Sequence, residues 1–184
     1  MEKNELYGKD VYLARLVVTP NVAKMLHNFK CGYTYIDQYL QEEASTDIER
    51  VTYVYFNEHE HDPVACLTIE CSAIYFQRKG KNDKSNFQSA IEIDYFALND
   101  KYQHLKMSKG SRYTLGDYIF TDALLLLKEI SQKTIGAAKV VLYSVPDAVR
   151  FYQRNGFSYF DENMTADSWR FVAECEPMHM DLNF

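Results

Sequence analysis

Between Ala90 and Tyr143 the residues follow an order that few architectures satisfy. "AIEIDYFAL" (Ala90 to Leu98) is rich in β-branched and aromatic residues and reads as a strand. After the polar stretch "NDKYQHLKMSKGSRYTLG", an apolar face recurs at helical spacing from about Asp117 to Lys133. It comprises Ile119, Ala123, Leu126, Leu127 and Ile130, widened by Leu124 and Leu125. A helix apolar around so much of its circumference packs between other elements. "AAKVVLY" (Ala137 to Tyr143) is then a fully apolar strand, the kind found in parallel pairings covered on both faces. Strand, helix, strand in that order implies a right-handed crossover with the helix on one sheet face.

The flanking segments extend this unit. "DVYLARLVV" (Asp10 to Val18) alternates as a strand, and Thr19-Pro20-Asn21 opens a helix with proline in its first turn, where a missing N–H costs nothing. In "YIDQYLQEEA", Ile36, Tyr39 and Leu40 share one helical face. "VTYVYF" and "PVACLTIECSAIYF" form a hairpin across the polar turn "NEHEHDP". The polar segment "QRKGKNDKSNFQS" reads as an exposed loop. Val145-Pro146-Asp147 starts a short helix with Ala148, Phe151 and Tyr152 on one face, closed by a left-handed Gly156. "PMHMDL" (Pro177 to Leu182) is a last strand. The expected order is β, α, α, β, β, β, α, β, α, β, a mixed α/β sheet flanked by helices in a single domain over residues 1–184.

Composition sets the outer bounds. A chain of 184 residues, 47% of them hydrophobic, suffices for one substantial core. With fifteen tyrosines and eleven phenylalanines, that core should be strongly aromatic. A net charge of −6 argues against a broad nucleic-acid surface but leaves room for a local patch at Lys79–Lys84 or Lys106–Arg112. Cys31, Cys66, Cys71 and Cys175 form no CxxC pair. With no signal peptide and no apolar run near membrane length, the chain reads as cytoplasmic, with free thiols and no membrane association. His59 and His61 lack further ligands at site-like spacing, so no metal is expected.

The element order, "LGDY" before the long helix, and "AVRFYQRNGF" (Ala148 to Phe157) together resemble the GNAT N-acetyltransferase superfamily, over essentially the whole chain from about Asp10. "FYQRNGF" matches the recurrent family pattern FYxxxGF. The pyrophosphate-loop signature, usually R/Q-x-x-G-x-G/A, reads "YTLGDY" here. It keeps only Gly116, with Tyr113 in the basic position and Tyr118 in the last small one. The resemblance implies a central sheet splayed between its fourth and fifth strands, with acetyl-CoA as cosubstrate in the gap. It further implies coenzyme contacts from the Phe96, Ala97 and Leu98 backbone, from Arg112, Leu115, Gly116, Asp117 and Tyr118, and from Ser144 and Tyr152. A narrower similarity lies in "FKCGYTYIDQYL" (Phe29 to Leu40), comparable to the "CG…ID.WL" segment of acetyltransferase toxins of toxin–antitoxin pairs. That similarity implies aminoacyl-tRNA as acceptor and an antitoxin as partner; many relatives also form homodimers.

The chemistry of these residues can be weighed against plainer roles. Gly116 opens a helix N-terminus, whose unpaired N–H groups and positive dipole end suit a pyrophosphate, and Lys106, Lys109 and Arg112 precede it; an ordinary capped helix with solvated lysines is the alternative. Alternation along "IEIDYFAL" turns Glu92, Asp94, Phe96 and Leu98 to one face. Two carboxylates there suit an amine-binding cleft, or else a salt-bridged or solvent-facing strand. An ammonium of pKa near 10.4 is only about 0.04% neutral at pH 7, so a nearby carboxylate that removes its proton assists attack. Glu92 falls where several GNAT enzymes place a catalytic glutamate and is the general-base candidate, with Asp94 second. Tyr152 is a core residue by spacing alone; by the resemblance it is the phenol that protonates the departing thiolate, with Phe151 as the packing member. No Cys–His pair is suggested, which fits direct transfer in a ternary complex to a primary amine of unidentified carrier. Two other readings stay open, a toxin acetylating aminoacyl-tRNA and a degenerate GNAT fold serving as a non-catalytic binding module.

Overall fold

The computed structural model describes residues 13–57, 62–76, 86–108, 110–166 and 174–183. The beginning of the first expected strand (Asp10 to Tyr12), the histidine turn, the Lys79–Lys84 patch and Lys109 lie outside the described residues.

The elements are β1 (Leu13–Val17), α1 (Pro20–Ala23), α2 (Thr34–Gln38), β2 (Arg50–Asn57), β3 (Asp62–Phe76), β4 (Asn86–Leu98), α3 (Leu115–Ile130), β5 (Lys139–Ser144), α4 (Val149–Arg154), β6 (Ser158–Tyr159), β7 (Met164–Ala166) and β8 (Glu176–Asp181). The strands follow the order β1-β2-β3-β4-β5-β8-β6, with β7 on β3. The chain forms two compact units, Met1–Ile69 with Tyr95–Ala123 and Glu70–Asp94 with Leu124–Phe184, and β3, β4 and α3 each contribute to both.

In the first unit, β1 runs antiparallel to β2 from Leu13↔Asn57 to Val17↔Tyr53. Thr19 caps α1, its hydroxyl accepting from the Val22 N–H at 3.4 Å with Pro20 at the start, as the sequence expects. α2 continues into a wider turn over Tyr39–Glu43, and the predicted face Ile36, Tyr39 and Leu40 is buried. These residues share a core with Leu26, Phe29, Val54 and Cys66.

The second unit holds the expected parallel pair. β4 and β5 run side by side from Ala90↔Lys139 to Ile93↔Leu142, where their ladder ends, while β5 continues antiparallel with β8 to Ser144↔Glu176. Val140 and Val141 are buried, as a strand flanked on both sides requires.

Several sequence expectations need correction. β4 begins at Asn86, so the last residues of the presumed loop are strand; they are held by a Tyr75–Phe87 ring contact at 6.3 Å and by Ala138 N–H donating to Ser89 O at 2.9 Å. α3 starts at Leu115 and not near Asp117, because Thr114 caps it. Leu125 is 56% exposed, whereas Phe120, absent from the predicted face, is fully buried. The short strands β6 and β7 carry no alternation long enough to be read from sequence.

Candidate active site

The first unit carries the α3 start and the end of β4. "TLGD" folds as a reciprocal cap. The Thr114 hydroxyl accepts from the Asp117 N–H at 3.3 Å, and Asp117 Oδ2 accepts from the Thr114 N–H and Oγ1, both at 2.8 Å. Asp117 is accordingly buried. The Leu115 N–H donates to Leu105 O at 2.7 Å, and the Tyr118 N–H to Thr114 O at 3.2 Å. Of the first-turn residues, Gly116 is the one whose N–H none of these bonds uses. Its backbone is not left-handed, and a Cβ there would stand 3.4 Å from Leu98 Cδ2 and 3.5 Å from Thr114 Oγ1. That is ordinary contact, so neither turn geometry nor packing selects glycine at this position.

The other candidates in this unit have assigned contacts. Leu98 O accepts from Gln103 Nε2 at 3.1 Å, which takes up one of the backbone groups expected to meet pantetheine. Phe96 packs on Phe120 with centroids 4.8 Å apart, and Ala97 is buried. The exposed Arg112 donates to the Tyr113 hydroxyl at 2.9 Å and lies over its ring at 4.9 Å. Tyr118 points into a cavity of about 330 Å³ lined also by Leu13, Arg15, Tyr55, Ile119 and Asp122. There Asp122 pairs with Arg15 and accepts from the Tyr55 hydroxyl at 2.9 Å.

The second unit carries the acid–base candidates. Glu92 is only 3% exposed, and its Oε2 accepts from the Ser72 hydroxyl at 2.9 Å. A carboxylate so far from water is held by hydrogen bonding, and the solvent-facing alternative is excluded. Asp94, two residues on, is half-buried. Ser144 is buried at the end of β5, its hydroxyl donating to Val145 O at 2.9 Å.

Tyr152 and Val149 are the buried residues of α4. The Tyr152 ring meets Phe151 at 5.3 Å and Phe157 at 5.8 Å, both edge-on. Phe151 is half-buried, so Tyr152 is the deeper member of the pair and contributes packing whatever its hydroxyl does. Gly156 closes the helix at φ +94°, and Phe157 N–H donates to Tyr152 O at 3.1 Å.

All four cysteines are free; burial pushes the Cys31 thiol up to about 12 and raises Cys66 as well, both away from thiolate. Among the described residues no group of His, Cys, Asp or Glu can hold a metal, and no helix is long and apolar enough to cross a membrane.

Sequence reasoning missed Thr114, Ser72 and Gln103. The T-x-x-D spacing could have identified Thr114 and Asp117 as a cap. Nothing in the pattern of β3 singles out Ser72 as the partner of Glu92, because that pairing is made across the sheet.

No protein-family model matches the chain, and no curated protein matches its sequence. Solved structures do. A bacterial toxin is similar at TM-score 0.68 and 14% identity, over 94% of this chain and 92% of that one. A mutant of the toxin AtaT, bound to the C-terminus of the antitoxin AtaR and acetyl-CoA, is similar at 0.65 and 15%, over 92% and 93%. AtaT complexed with acetyl-methionyl-tRNAfMet is similar at 0.62 and 15%, over 84% and 94%. The mixed sheet, its parallel β4–β5 pair and this likeness together give the chain the GNAT-like α/β fold of these toxins.

Proposed function

We propose that the chain is an acetyl-CoA-dependent N-acetyltransferase, and that its acceptor is the amino group of an aminoacyl-tRNA. The observation that carries this reading is the likeness, over most of the chain, to AtaT structures holding acetyl-CoA and acetyl-methionyl-tRNAfMet. Gly116 adds support from the structure itself: a glycine that neither backbone nor packing requires is explained by close approach of a phosphate group to its N–H. The AtaR complex extends the proposal to an antitoxin partner.

In this reading the α3 start receives the pyrophosphate, and the Phe96 and Ala97 backbone orients the pantetheine arm. Glu92, directly or through water, takes the proton that the amine loses as its nitrogen bonds to the acetyl carbonyl carbon. The carbon–sulfur bond breaks, and Tyr152 gives its phenolic proton to the departing thiolate, to be reprotonated from solvent. Orientation of amine against thioester supplies much of the acceleration. Asp94 is the second base candidate.

The Asp117 cap favours one rival reading, a GNAT-like module that does not catalyse, because its carboxylate already occupies the α3 start. Equilibrium titration with acetyl-CoA, followed by transfer of labelled acetyl groups to an aminoacyl-tRNA pool, decides between them. Binding and labelled acetyl-aminoacyl-tRNA are expected. No coenzyme binding at millimolar concentration overturns the enzyme reading, and transfer to other amines alone overturns the acceptor.

A further inference from the structure

We propose that Tyr33 and Tyr35 form a stacking platform for the unpaired terminal nucleotides of an RNA-borne acceptor; the inference rests on the acceptor class proposed above. Tyr33 is 44% exposed and Tyr35 54%. Both belong to a series of rings that runs inward. Tyr33 meets Tyr35 with centroids 6.0 Å apart, Tyr35 meets Tyr95 of β4 at 6.0 Å, and Tyr95 meets Tyr39 at 5.2 Å, all edge-on. The inner end is anchored. Tyr39 is buried, donates its hydroxyl to Asp47 Oδ2 at 3.1 Å and lies beneath the Arg50 guanidinium.

The backbone beneath the outer rings is equally fastened. The Cys31 N–H donates to Asp37 Oδ1 at 3.0 Å, Gln103 Nε2 donates to Cys31 O at 3.1 Å, and the Asp100 N–H donates to Lys30 O at 2.7 Å. Gly32, at φ +89°, makes the turn that leads into Tyr33. Two large rings are therefore held in fixed positions with half their surface in water, an arrangement that pre-pays the ordering a planar ligand would otherwise cost.

Two exposed lysines on the same segment, Lys24 and Lys30, suit nucleic acid better than an apolar peptide as that ligand. Between Pro20 and Gln38 the chain has two lysines, Lys24 and Lys30, both exposed, and one acidic residue, Asp37, whose Oδ1 accepts from the Cys31 N–H. The segment carries one net positive charge in a chain of net charge −6, with the exposed Asp100 carboxylate beside Gly32 and the exposed Glu42 and Glu43 following it. Aromatic faces beside phosphate-neutralising cations are how single-stranded ends are held with little sequence preference.

The test is a fluorescence titration with an acceptor-stem RNA hairpin carrying 2-aminopurine in its unpaired 3′ end. The wild type should quench the fluorophore. The double variant Tyr33→Ala, Tyr35→Ala should bind about tenfold or more weakly, whereas Tyr33→Phe, Tyr35→Phe should stay within about twofold. Absence of quenching by the wild type, or unchanged binding by the alanine variant, overturns the platform. So does loss of binding to an antitoxin peptide with RNA binding intact, which would assign the rings to protein. If aminoacyl-tRNA is acetylated with unchanged KM by the alanine variant, the platform falls and the proposed function stands. If no aminoacyl-tRNA is acetylated, the acceptor reading falls, and the quenching still decides the platform.

Discussion

Two aromatic pairs close together in the sequence, Phe151–Tyr152 on α4 and Tyr33–Tyr35 at the start of α2, have opposite fates. Tyr152 is 8% exposed and wedged between Phe151 and Phe157, whereas Tyr33 and Tyr35 keep about half of their surface in water. The proposed function assigns chemistry to the buried phenol, and the proposed stacking platform assigns recognition to the exposed pair. A phenol shielded from bulk water transfers its proton to a specific neighbour more selectively than a solvated one, while a ring that must meet a large ligand has to remain accessible.

The sharpest way to break this contrast is Tyr152→Phe. Loss of the proposed general acid should lower kcat by about 10²- to 10⁴-fold, with unfolding shifted by no more than about 0.5–1.5 kcal/mol for one hydroxyl; steady-state kinetics beside a melt would reveal a purely structural tyrosine by unchanged turnover. Removing the rings tests burial directly. Tyr152→Ala should cost about 3–5 kcal/mol of stability by analogy with other buried aromatics, and Tyr35→Ala less than about 1 kcal/mol. Equal losses in denaturant titrations would erase the distinction. Ser72→Ala, which deprives the buried Glu92 carboxylate of a donor, should cost about 1–3 kcal/mol and alter the acidic limb of the pH–rate profile if Glu92 is the base. Thr114→Ala should lose about 0.5–2 kcal/mol through the α3 cap, read by thermal unfolding.

The smallest expected effect is on the pH dependence of stability. Burial, reinforced by the nearby Lys139 charge, lowers the His179 pKa, and its Nδ1 has no hydrogen-bond partner among the described residues. The unfolded chain therefore takes up this proton first, near pH 6.5. The contribution of His179 is complete above that value and is lost as pH falls toward the lower folded pKa. His179→Asn should flatten this part of the stability curve; an unchanged slope in urea titrations between pH 7 and 5 would refute the assignment.

How much of this was legible in advance can be traced through particular residues. The apolar run at Val140 and Val141 announced a strand covered on both sides, and it pairs with β4 and β8. Gly156 announced the end of α4 and has the left-handed φ. The alternation of β4 placed Glu92 and Asp94 on one face, yet could not say that Glu92 would be buried against Ser72. The depth of Tyr152 was likewise hidden, since Phe157 folds back onto it only after the Gly156 turn.

From its residue order alone, this chain was bound to a mixed α/β fold with one parallel crossover, because periodicity and turn chemistry are local and act within a few residues. Tertiary structure decided which tyrosines are buried, that Glu92 meets the Ser72 hydroxyl, and that Asp117 caps the helix expected to meet phosphate. Those outcomes depend on which distant side chain each face meets, and burial and hydrogen bonding are properties of the meeting surfaces, not of either segment by itself.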